Sequence, residues 1–345
     1  MKTPKTPPVP QKNKQFDLFT SFFGNEKDLS NTIELWDAIP KYAVSARQQA
    51  ALRDDKGSLP VHEQDFEYRP TTGKTVSIAC KLTIQPASIR NGDGTFTQYY
   101  PSTDEELLEE VLKKIFTDQQ YGIHTPQTLE SWVRFSLYMI REELRARGKT
   151  RSIAEIKKSL DILARSVYSV EIKGTQKSIA YDSTILSDMT RTTRADYLED
   201  TKTLWCARLP ALVSKSINEL SYRQINYGTL MALSTPMARW LHKRLSHNYI
   251  NAGLLQPYNI LYSSIHRDSG LLHHIRPAGN IKTFEAALEE LKNKNVLWWF
   301  KKEERKQGRA TQDVLYILQP TNDFISEIKA ANARQRDAVK ALSPR

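Results

Sequence analysis

The chain has 345 residues, enough for two domains of ordinary size, and 39% of them are hydrophobic, enough to build buried cores. Its formal net charge of +11 predicts a polyanionic partner, and nucleic acid is favoured over an anionic membrane surface. There is no membrane-length apolar run and no secretory signal, and neither Cys80 nor Cys206 belongs to a CxxC pair. The sequence therefore argues against a membrane span, export, a disulfide framework or a zinc site, and predicts a cytoplasmic protein.

The N-terminal residues are unlike the rest of the chain. Residues 1–14 contain four prolines and four lysines and no aromatic residue, a composition that cannot form a core. We therefore expect a disordered tail over residues 1–28. This tail carries one apolar stretch, "QFDLF", at residues 15–19. An alternative is that its phenylalanines simply pack the N-terminus onto the first domain.

The first predicted elements are a hairpin and two helices. "TVSIACKLTIQPASI" (75–89) alternates as a strand does, "NGDG" (91–94) is a strong turn signal, and "TFTQYY" (95–100) is the predicted partner strand. Apolar residues at helical spacing then predict one helix over 104–119 and a second over about 128–146.

A third helix has a clear beginning and end. Ser152 and Glu155 form a capping-box pattern, and Ile153, Ile156, Leu160 and Leu163 mark one apolar helical face. At Ser166 the period changes from 3.6 to 2, which predicts that "SVYSVEI" is a strand. "KSIAYDSTILSDM" follows a short turn and predicts a further strand.

The same pattern recurs in the second half of the chain. "GNIKTFEAALEELKNKNVLWWF" places three apolar residues at the same spacing as the third helix and then changes into a strand. A charged turn (301–311) and the strand "DVLYILQP" follow, and the predicted helix "LSTPMARWLHKRLSHNYI" comes before. The chain is therefore predicted to contain a diverged duplication of helix, helix, helix, strand, wing and strand.

These elements predict an α+β fold, mainly helical, with two tandem winged helix-turn-helix domains. The first domain is placed at residues 29–215 and the second at residues 216–330. A flexible tail (1–28) precedes them, and a basic C-terminal tail (331–345) follows.

A winged helix-turn-helix binds DNA with its third helix in the major groove. Helix N-termini attract phosphate, and long polar side chains there can reach base edges. In the first unit we expect DNA contacts from Arg145, Arg147, Lys149, Arg151, Lys157, Lys158 and Arg165. In the second unit we expect them from Arg276, Asn280, Lys282, Thr283, Lys301, Lys302, Arg305, Lys306 and Arg309. The alternative for any single one of these side chains is that it is only solvated.

"QFDLF" resembles the peptide by which bacterial replication proteins bind the β sliding clamp. In that mode Leu18 and Phe19 fill an apolar cleft, Gln15 makes hydrogen bonds at its edge, and Asp17 is a polar spacer. Together with "LDILARSVYSVEI" and "ALSTPMARWLHKRLSHNY", the motif resembles the theta-type plasmid replication initiators, most nearly the TrfA-like ones. The likeness covers most of residues 15–320 and is one of pattern, except in the first motif.

The resemblance implies a DNA replication initiator without a cofactor. Such a protein binds repeated origin sequences (iterons), promotes origin opening and recruits the host helicase, the initiator DnaA and the β sliding clamp, with a monomer–dimer equilibrium and no membrane partner. The insertion "RTTRADYLEDTKTLWCARL" departs from the family pattern and is predicted to lengthen the first wing. The alternative function is a winged-helix transcriptional repressor or a partition DNA-binding protein, in which "QFDLF" only packs.

Catalytic motifs are missing from the sequence. It has no GxxxxGK[ST], GxSxG or HExxH pattern, and the histidines of "LLHHIR" lack the intervening residue of a nickase metal pair. His242 and His247 are five residues apart, a poor spacing for joint metal ligation, and are interpreted as phosphate-facing or partly buried. The protein is therefore predicted not to be an enzyme.

Overall fold

The computed structural model describes residues 13–70, 77–173, 178–192, 204–307 and 310–342, without the side chains of residues 306, 307, 310 and 311. Within these ranges the chain forms helices and antiparallel sheets, so the predicted α+β class is confirmed. No helix of the described residues is long and apolar enough to cross a membrane.

The helices are distributed along the whole chain. They are α1 (Lys14–Thr20), α2 (Glu34–Ala38), α3 (Ala46–Leu52), α4 (Thr103–Phe116), α5 (Leu137–Ala146), α6 (Ile153–Arg165), α7 (Ala211–Asn218), α8 (Tyr227–Ala232), α9 (Pro236–Asn248), α10 (Tyr262–Ser269), α11 (Pro277–Asn293) and α12 (Asn322–Leu342).

The strands form five antiparallel sheets in the described residues, ordered β1-β12, β10-β11-β7-β6, β13-β15-β14, β2-β3-β8-β9 and β4-β5. They are β1 (Leu29–Ile33), β2 (His62–Tyr68), β3 (Ile78–Gln85), β4 (Ala87–Arg90), β5 (Phe96–Tyr99), β6 (Gly122–Thr125), β7 (Glu130–Phe135), β8 (Val167–Ile172), β9 (Ile179–Ser183), β10 (Ser187–Thr190), β11 (Trp205–Arg208), β12 (Tyr222–Asn226), β13 (Tyr258–Leu261), β14 (Leu297–Gln307) and β15 (Ala310–Pro320).

Two hydrophobic cores organise the chain. The first takes its residues from Phe16 to Met231 together with Ala338, and the second takes its residues from Leu233 to Ile328. The first core therefore extends beyond the predicted domain boundary after residue 215, because Ile217 and Met231 carry α7 and α8 into it. We call the elements around the first core unit 1 and those around the second core unit 2.

The two units contain the same order of elements. In unit 1, α4 is followed by the hairpin β6–β7, by α5 and α6, and by the hairpin β8–β9. In unit 2, α9 is followed by β13, by α10 and α11, and by the long ribbon β14–β15. Of the apolar residues predicted for the face of α6, Ile156, Leu160 and Leu163 are buried and Ile153 is half-buried. The three predicted for α11 are all buried.

Two of the predicted secondary-structure assignments in unit 1 are wrong. The helix expected over 128–146 begins only at Leu137, because Glu130–Phe135 is a strand paired on one side with β6 and on the other with β11. The strand expected over 75–89 is divided at Pro86, which lacks the amide donor that a continuous ladder needs. The turn at 91–94 does join β4 to β5, as predicted.

The prediction that the insertion lengthens the first wing is also wrong. β8 pairs with β9 as a short hairpin, whereas β14 and β15 are 11 residues each. The sequence after β9 enters a different sheet, in which β10 pairs with β11. Residues 193–203 of the insertion lie outside the described residues.

Both predicted tails are folded in their described parts. Residues 14–20 form α1, which is capped by the Asn13 side chain and buries Phe16 and Phe19. Residues 331–342 continue α12, because Ala331, Arg334 and Ala338 repeat at helical spacing and form its buried face. The amphipathic patterns of these short segments are satisfied only by contact with the rest of the fold.

Candidate nucleic-acid interface

Helix α6 is held in unit 1 by one face and leaves the other accessible. The predicted capping box is present: the Ser152 hydroxyl accepts from the Glu155 amide at 3.2 Å, and the Glu155 carboxylate accepts from the Ser152 amide at 2.7 Å. The Ser159 hydroxyl donates to Glu105 of α4 at 2.6 Å. Lys157 and Lys158 lie on the opposite, exposed side of the helix.

The cations of α6 differ in how they are engaged. The Lys158 ammonium lies 4.0 Å from the centroid of the Tyr99 ring, a cation–π contact with β5. Arg165 lies 3.4 Å from Asp161, whose carboxylate also pairs with Arg191 at 2.5 Å. Two arginines on one carboxylate leave a net positive charge, so this end of α6 remains attractive to phosphate.

The basic turn before α6 is mostly engaged within the protein. Arg147 pairs with Asp28 at 3.0 Å and with Glu143 at 3.2 Å. The Lys149 ammonium donates to the Leu233 carbonyl at 3.2 Å, beside the connection between the units. These two cations therefore fix the N-terminal segment and the connection, and they have little capacity left for phosphate.

The other two cations of this turn are more accessible. Arg145 is 70% exposed and contacts only Glu142 of its own helix in ion-pair range. Arg151 pairs with Asp104 of α4 at 2.5 Å, and its side chain is 31% exposed. Exposed pairs of this kind contribute little stability, so a phosphate can compete for the guanidinium.

At the N-terminus of α11, some of the predicted DNA-contacting side chains are exposed, and others are buried or bonded within the fold. Arg276 and Lys282 are exposed. Asn280 is buried; its amide group accepts from the His274 amide at 2.8 Å and donates to the His274 carbonyl at 3.0 Å. The expectation that Asn280 contacts a base is corrected accordingly, since its amide is used to shape the preceding loop. Thr283 donates to the Gly279 carbonyl of its own helix at 3.0 Å and is half-buried.

The ribbon β14–β15 extends the basic surface of unit 2. Lys301 pairs with Glu303 at 2.8 Å on the ribbon itself, and both side chains are largely exposed. Lys302 pairs with Glu285 of α11 at 2.7 Å and so ties the ribbon to the helix. Arg305 is exposed near the ribbon's end, whereas Arg309 and the Lys306 side chain lie outside what the structure describes.

The segment "QFDLF" is a helical turn packed on unit 1. Phe19 is 1% exposed, and its ring meets Tyr222 at 4.8 Å between centroids and Phe116 at 5.6 Å. Asp17 is exposed and accepts from the Gln119 side chain at 3.1 Å. Gln15 and Leu18 are half-buried, so the four residues of the predicted clamp peptide do not form one free surface.

The two units meet through buried charges that the sequence analysis did not identify. Arg239 of α9, fully buried, donates to the Glu106 carboxylate of α4 at 2.7 and 2.9 Å. Lys243 lies 2.6 Å from Glu110 and 3.4 Å from Glu106. Lys113 in turn lies 2.7 Å from Asp37. The available signal was the acidic run of α4, which continues beyond the first turn that a helix dipole explains.

These pairs stay ionised despite their burial. Burial by itself raises the pKa of Glu106, but Arg239 and Lys243 lower it below its ordinary value. Burial by itself lowers the pKa of Lys243, but Glu110 and Glu106 raise it above its ordinary value. The Glu106 and Glu110 carboxylates of unit 1 are therefore compensated by Arg239 and Lys243 of unit 2, whereas Lys113 and Asp37 compensate each other within unit 1.

The histidines of α9 belong to this contact and do not face phosphate. His242 is fully buried beside Phe324, and burial lowers its pKa to about 3. His247 lies 2.8 Å from the Thr32 hydroxyl, and burial lowers its pKa to about 4. Of the two alternatives expected for these residues, phosphate-facing or buried, the buried one is confirmed, and the lowered pKa keeps each imidazole neutral at neutral pH.

A cavity of about 310 Å³ lies beside this contact. Its wall includes Arg244, Arg267 and Asp268 of unit 2 and Glu67 of unit 1. Arg267 pairs with Glu67 at 2.7 Å, and Arg244 pairs with Asp268 at 2.9 Å. The charged groups on its wall are thus matched to one another, and the cavity forms part of the junction between the units.

Comparisons with known proteins give distant structural similarities. No protein-family model matches the chain, and no curated protein gives a significant match. Two crystal structures of domains 2 and 3 of RctB each align with 82% of this chain. The first has 10% identity and a TM-score of 0.43, and the alignment covers 99% of its own chain. The second has 11% identity and a TM-score of 0.39, and the alignment covers 98% of its own chain. The crystal structure of the Pi initiator protein in complex with iteron DNA aligns with 87% of this chain and all of that chain, at 10% identity and a TM-score of 0.37.

Proposed function

We propose that the protein is a theta-type plasmid replication initiator that binds repeated origin sequences through two winged helix-turn-helix units. One observation carries this proposal: the order helix, one or two strands, helix, helix, two-stranded ribbon occurs twice, and each time the last helix exposes lysine or arginine beside the ribbon. An exposed helix of this kind fits the major groove, and the ribbon reaches the neighbouring backbone.

The accessible cations form a smaller proposed DNA surface than the full set of residues predicted from the sequence. The reading positions are Lys157 and Lys158 on α6, and Arg276 and Lys282 on α11. Phosphate contacts that hold the duplex in place are assigned to Arg145, Arg151, Arg165, Lys301 and Arg305. Two reading helices in one chain specify a longer site than one helix could, which suits a repeated origin element.

The proposed role includes host partners. The segment 15–19 supplies a Gln, a Leu and a Phe at the spacing of a clamp-binding peptide, and this supports recruitment of the β sliding clamp. We further propose that the DNA-bound chain promotes origin opening, recruits the host helicase and DnaA, and changes between monomer and dimer. The cytoplasm of a bacterium is where these partners occur.

The decisive experiment is fluorescence anisotropy against short duplexes tiled across the DNA that flanks the protein's own gene, at fixed salt. Tight binding to a few tiles that share a direct repeat supports the initiator. Binding to a single palindrome at the promoter favours the repressor alternative. Weak and equal binding to every tile refutes sequence recognition, because a basic surface alone gives that result.

A variant pair assigns the binding to the proposed surface. Lys157→Ala removes an exposed cation of α6, whereas Lys294→Ala removes one at the far end of α11. The first change should weaken binding to the repeat, and the second should not. Equal binding by both variants would show that α6 does not lie in the groove.

A further inference from the structure

The C-terminal helix α12 connects the two cores. Its first turns place Phe324, Ile325 and Ile328 in the core of unit 2. Its last turns place Ala338 in the core of unit 1, and Leu342 packs against that core. At 1.5 Å per residue its 21 residues span roughly 30 Å, enough to reach from one core to the other.

The second half of α12 holds the segment "QFDLF" in place. The Arg334 guanidinium donates to the backbone carbonyls of Leu18 and Phe19, both at 2.8 Å, and to the Asn31 side chain at 2.6 Å. Asn31 in turn donates to the Phe19 carbonyl at 2.7 Å. Near the end of the helix, the Lys14 ammonium donates to the Ala341 carbonyl. The end of α12 therefore binds the backbone of the segment while the segment's phenylalanines pack on unit 1.

The Arg334 side chain is an unusual means of attachment. It is 6% exposed, and its partners are carbonyl and amide oxygens and the rings of Phe22 and Tyr222, at 4.8 and 5.3 Å. No carboxylate of the described residues forms an ion pair with it, its Nε atom has no hydrogen-bond acceptor, and burial lowers its pKa to about 10. The Arg334 charge is buried without an opposite charge beside it, and this burial costs free energy that offsets part of its hydrogen bonding, so the attachment can open.

Packing and clamp binding require the same atoms. An apolar cleft on a partner protein must take up the Leu18 and Phe19 side chains, but Phe19 is 1% exposed against Phe116 and Tyr222. The segment therefore cannot occupy such a cleft while it is packed on unit 1 and held there by Arg334 of α12. The folded form and the partner-bound form exclude each other.

We infer that residues 331–342 of α12 are an autoinhibitory lock, which withholds "QFDLF" from the apolar cleft of a partner until the end of α12 leaves unit 1. This inference rests on the proposed clamp-binding role of the segment. The lock lowers the apparent affinity of the whole chain by the fraction of molecules in which it is open. A lock that is open in about one molecule in a hundred weakens binding roughly 100-fold.

The experiment compares a peptide of residues 13–24, the whole chain, and the variant Arg334→Met for binding to purified bacterial β sliding clamp. Arg336→Met is the matched control, because Arg336 is exposed on the same helix. A second variant ends at residue 330 and lacks the lock altogether. The peptide should bind the clamp about 10-fold or more tighter than the whole chain, and both lock variants should recover at least about 10-fold in affinity, since each lost hydrogen bond to a charged group favours opening by about that factor.

Amide hydrogen exchange of residues 14–20 measures the lock without the clamp. Arg334→Met should speed exchange there about 10-fold or more, and Arg336→Met should leave it unchanged. If the peptide binds the clamp but the lock variants bind and exchange like the natural chain, the lock is overturned and the clamp role stands. If the variants exchange faster but the peptide does not bind, the clamp role fails, and with it the inference that the lock regulates clamp binding.

Discussion

Arg239 offers a direct test of the contact between the two units. We predict that Arg239→Met destabilises the protein by about 3–5 kcal/mol, the range for breaking a buried ion pair by removing one partner. The side chain is fully buried and makes two hydrogen bonds to Glu106, at 2.7 and 2.9 Å, and two to the carbonyls of Leu233 and Ser234, at 3.1 and 3.2 Å. Because Lys243 still lies 3.4 Å from Glu106, the lower end of the range is expected.

The assay is urea unfolding at pH 7, with Arg336→Met as the control. Arg336 is exposed, so its replacement should change the free energy of unfolding by no more than about 0.5 kcal/mol. The double variant Arg239→Met with Glu106→Gln should be less destabilised than the sum of the two single variants, because neither charge is then left alone in the contact.

Acid sensitivity gives a second measure of the same pair. The pKa of Glu106 in the folded protein lies below its ordinary value. The ionised carboxylate therefore stabilises the fold at pH values above the ordinary pKa, and this stabilisation is lost as the pH falls through the folded-state pKa. Arg239→Met should therefore shift this loss of stability to higher pH, because it removes a cation that lowers the pKa of Glu106. A cost below about 1 kcal/mol for Arg239→Met, with no shift in acid sensitivity, would refute the view that buried charges join the units.

Three further predictions concern the DNA surface and the buried histidines. Lys282→Ala should weaken binding to the specific site by about 1–3 kcal/mol, and Lys294→Ala at the other end of α11 should not; an unchanged Lys282→Ala variant would remove α11 as a reading helix. Arg305→Ala should weaken binding to all sequences alike and lower the slope of log affinity against log salt by about 1, and a sequence-dependent loss would contradict a phosphate role. His242 has a folded-state pKa of about 3 against an ordinary value of 6.5, so the unfolded chain binds a proton that the folded chain does not, and stability should be lost as the pH falls below 6.5. The variant His242→Leu should make the free energy of unfolding less dependent on pH in this range. An unchanged pH dependence would contradict the burial argument.

Local features of the fold could be predicted because their causes are local. The capping box of Ser152 and Glu155 lies within one turn of chain, and so does the hairpin turn at 91–94. The apolar faces of α6 and α11 follow from residue spacing alone. The repeated order of elements and the exposed lysines of both helices could be predicted for the same reason.

Errors arose where a segment's partner is far away in the sequence. Glu130–Phe135 directly precedes α5 and is included in that predicted helix, but β11, about 75 residues further along, pairs with it as a strand. Asn280 has the position and chemistry of a base-reading residue, and only the folded loop around His274 shows that its amide is already used.

The sequence by itself determined the α+β class, the duplicated order of elements, the basic helices and the "QFDLF" segment, because composition, periodicity and capping act over a few residues. Only the tertiary structure decided which of the basic residues are accessible, that α4 and α9 share buried charges, and that Arg334 of α12 binds the backbone of "QFDLF". Arg334 and Leu18 are 316 residues apart in the chain. Neither the burial of a charge nor the choice of its partner is encoded locally, since both depend on which surfaces the complete fold brings together.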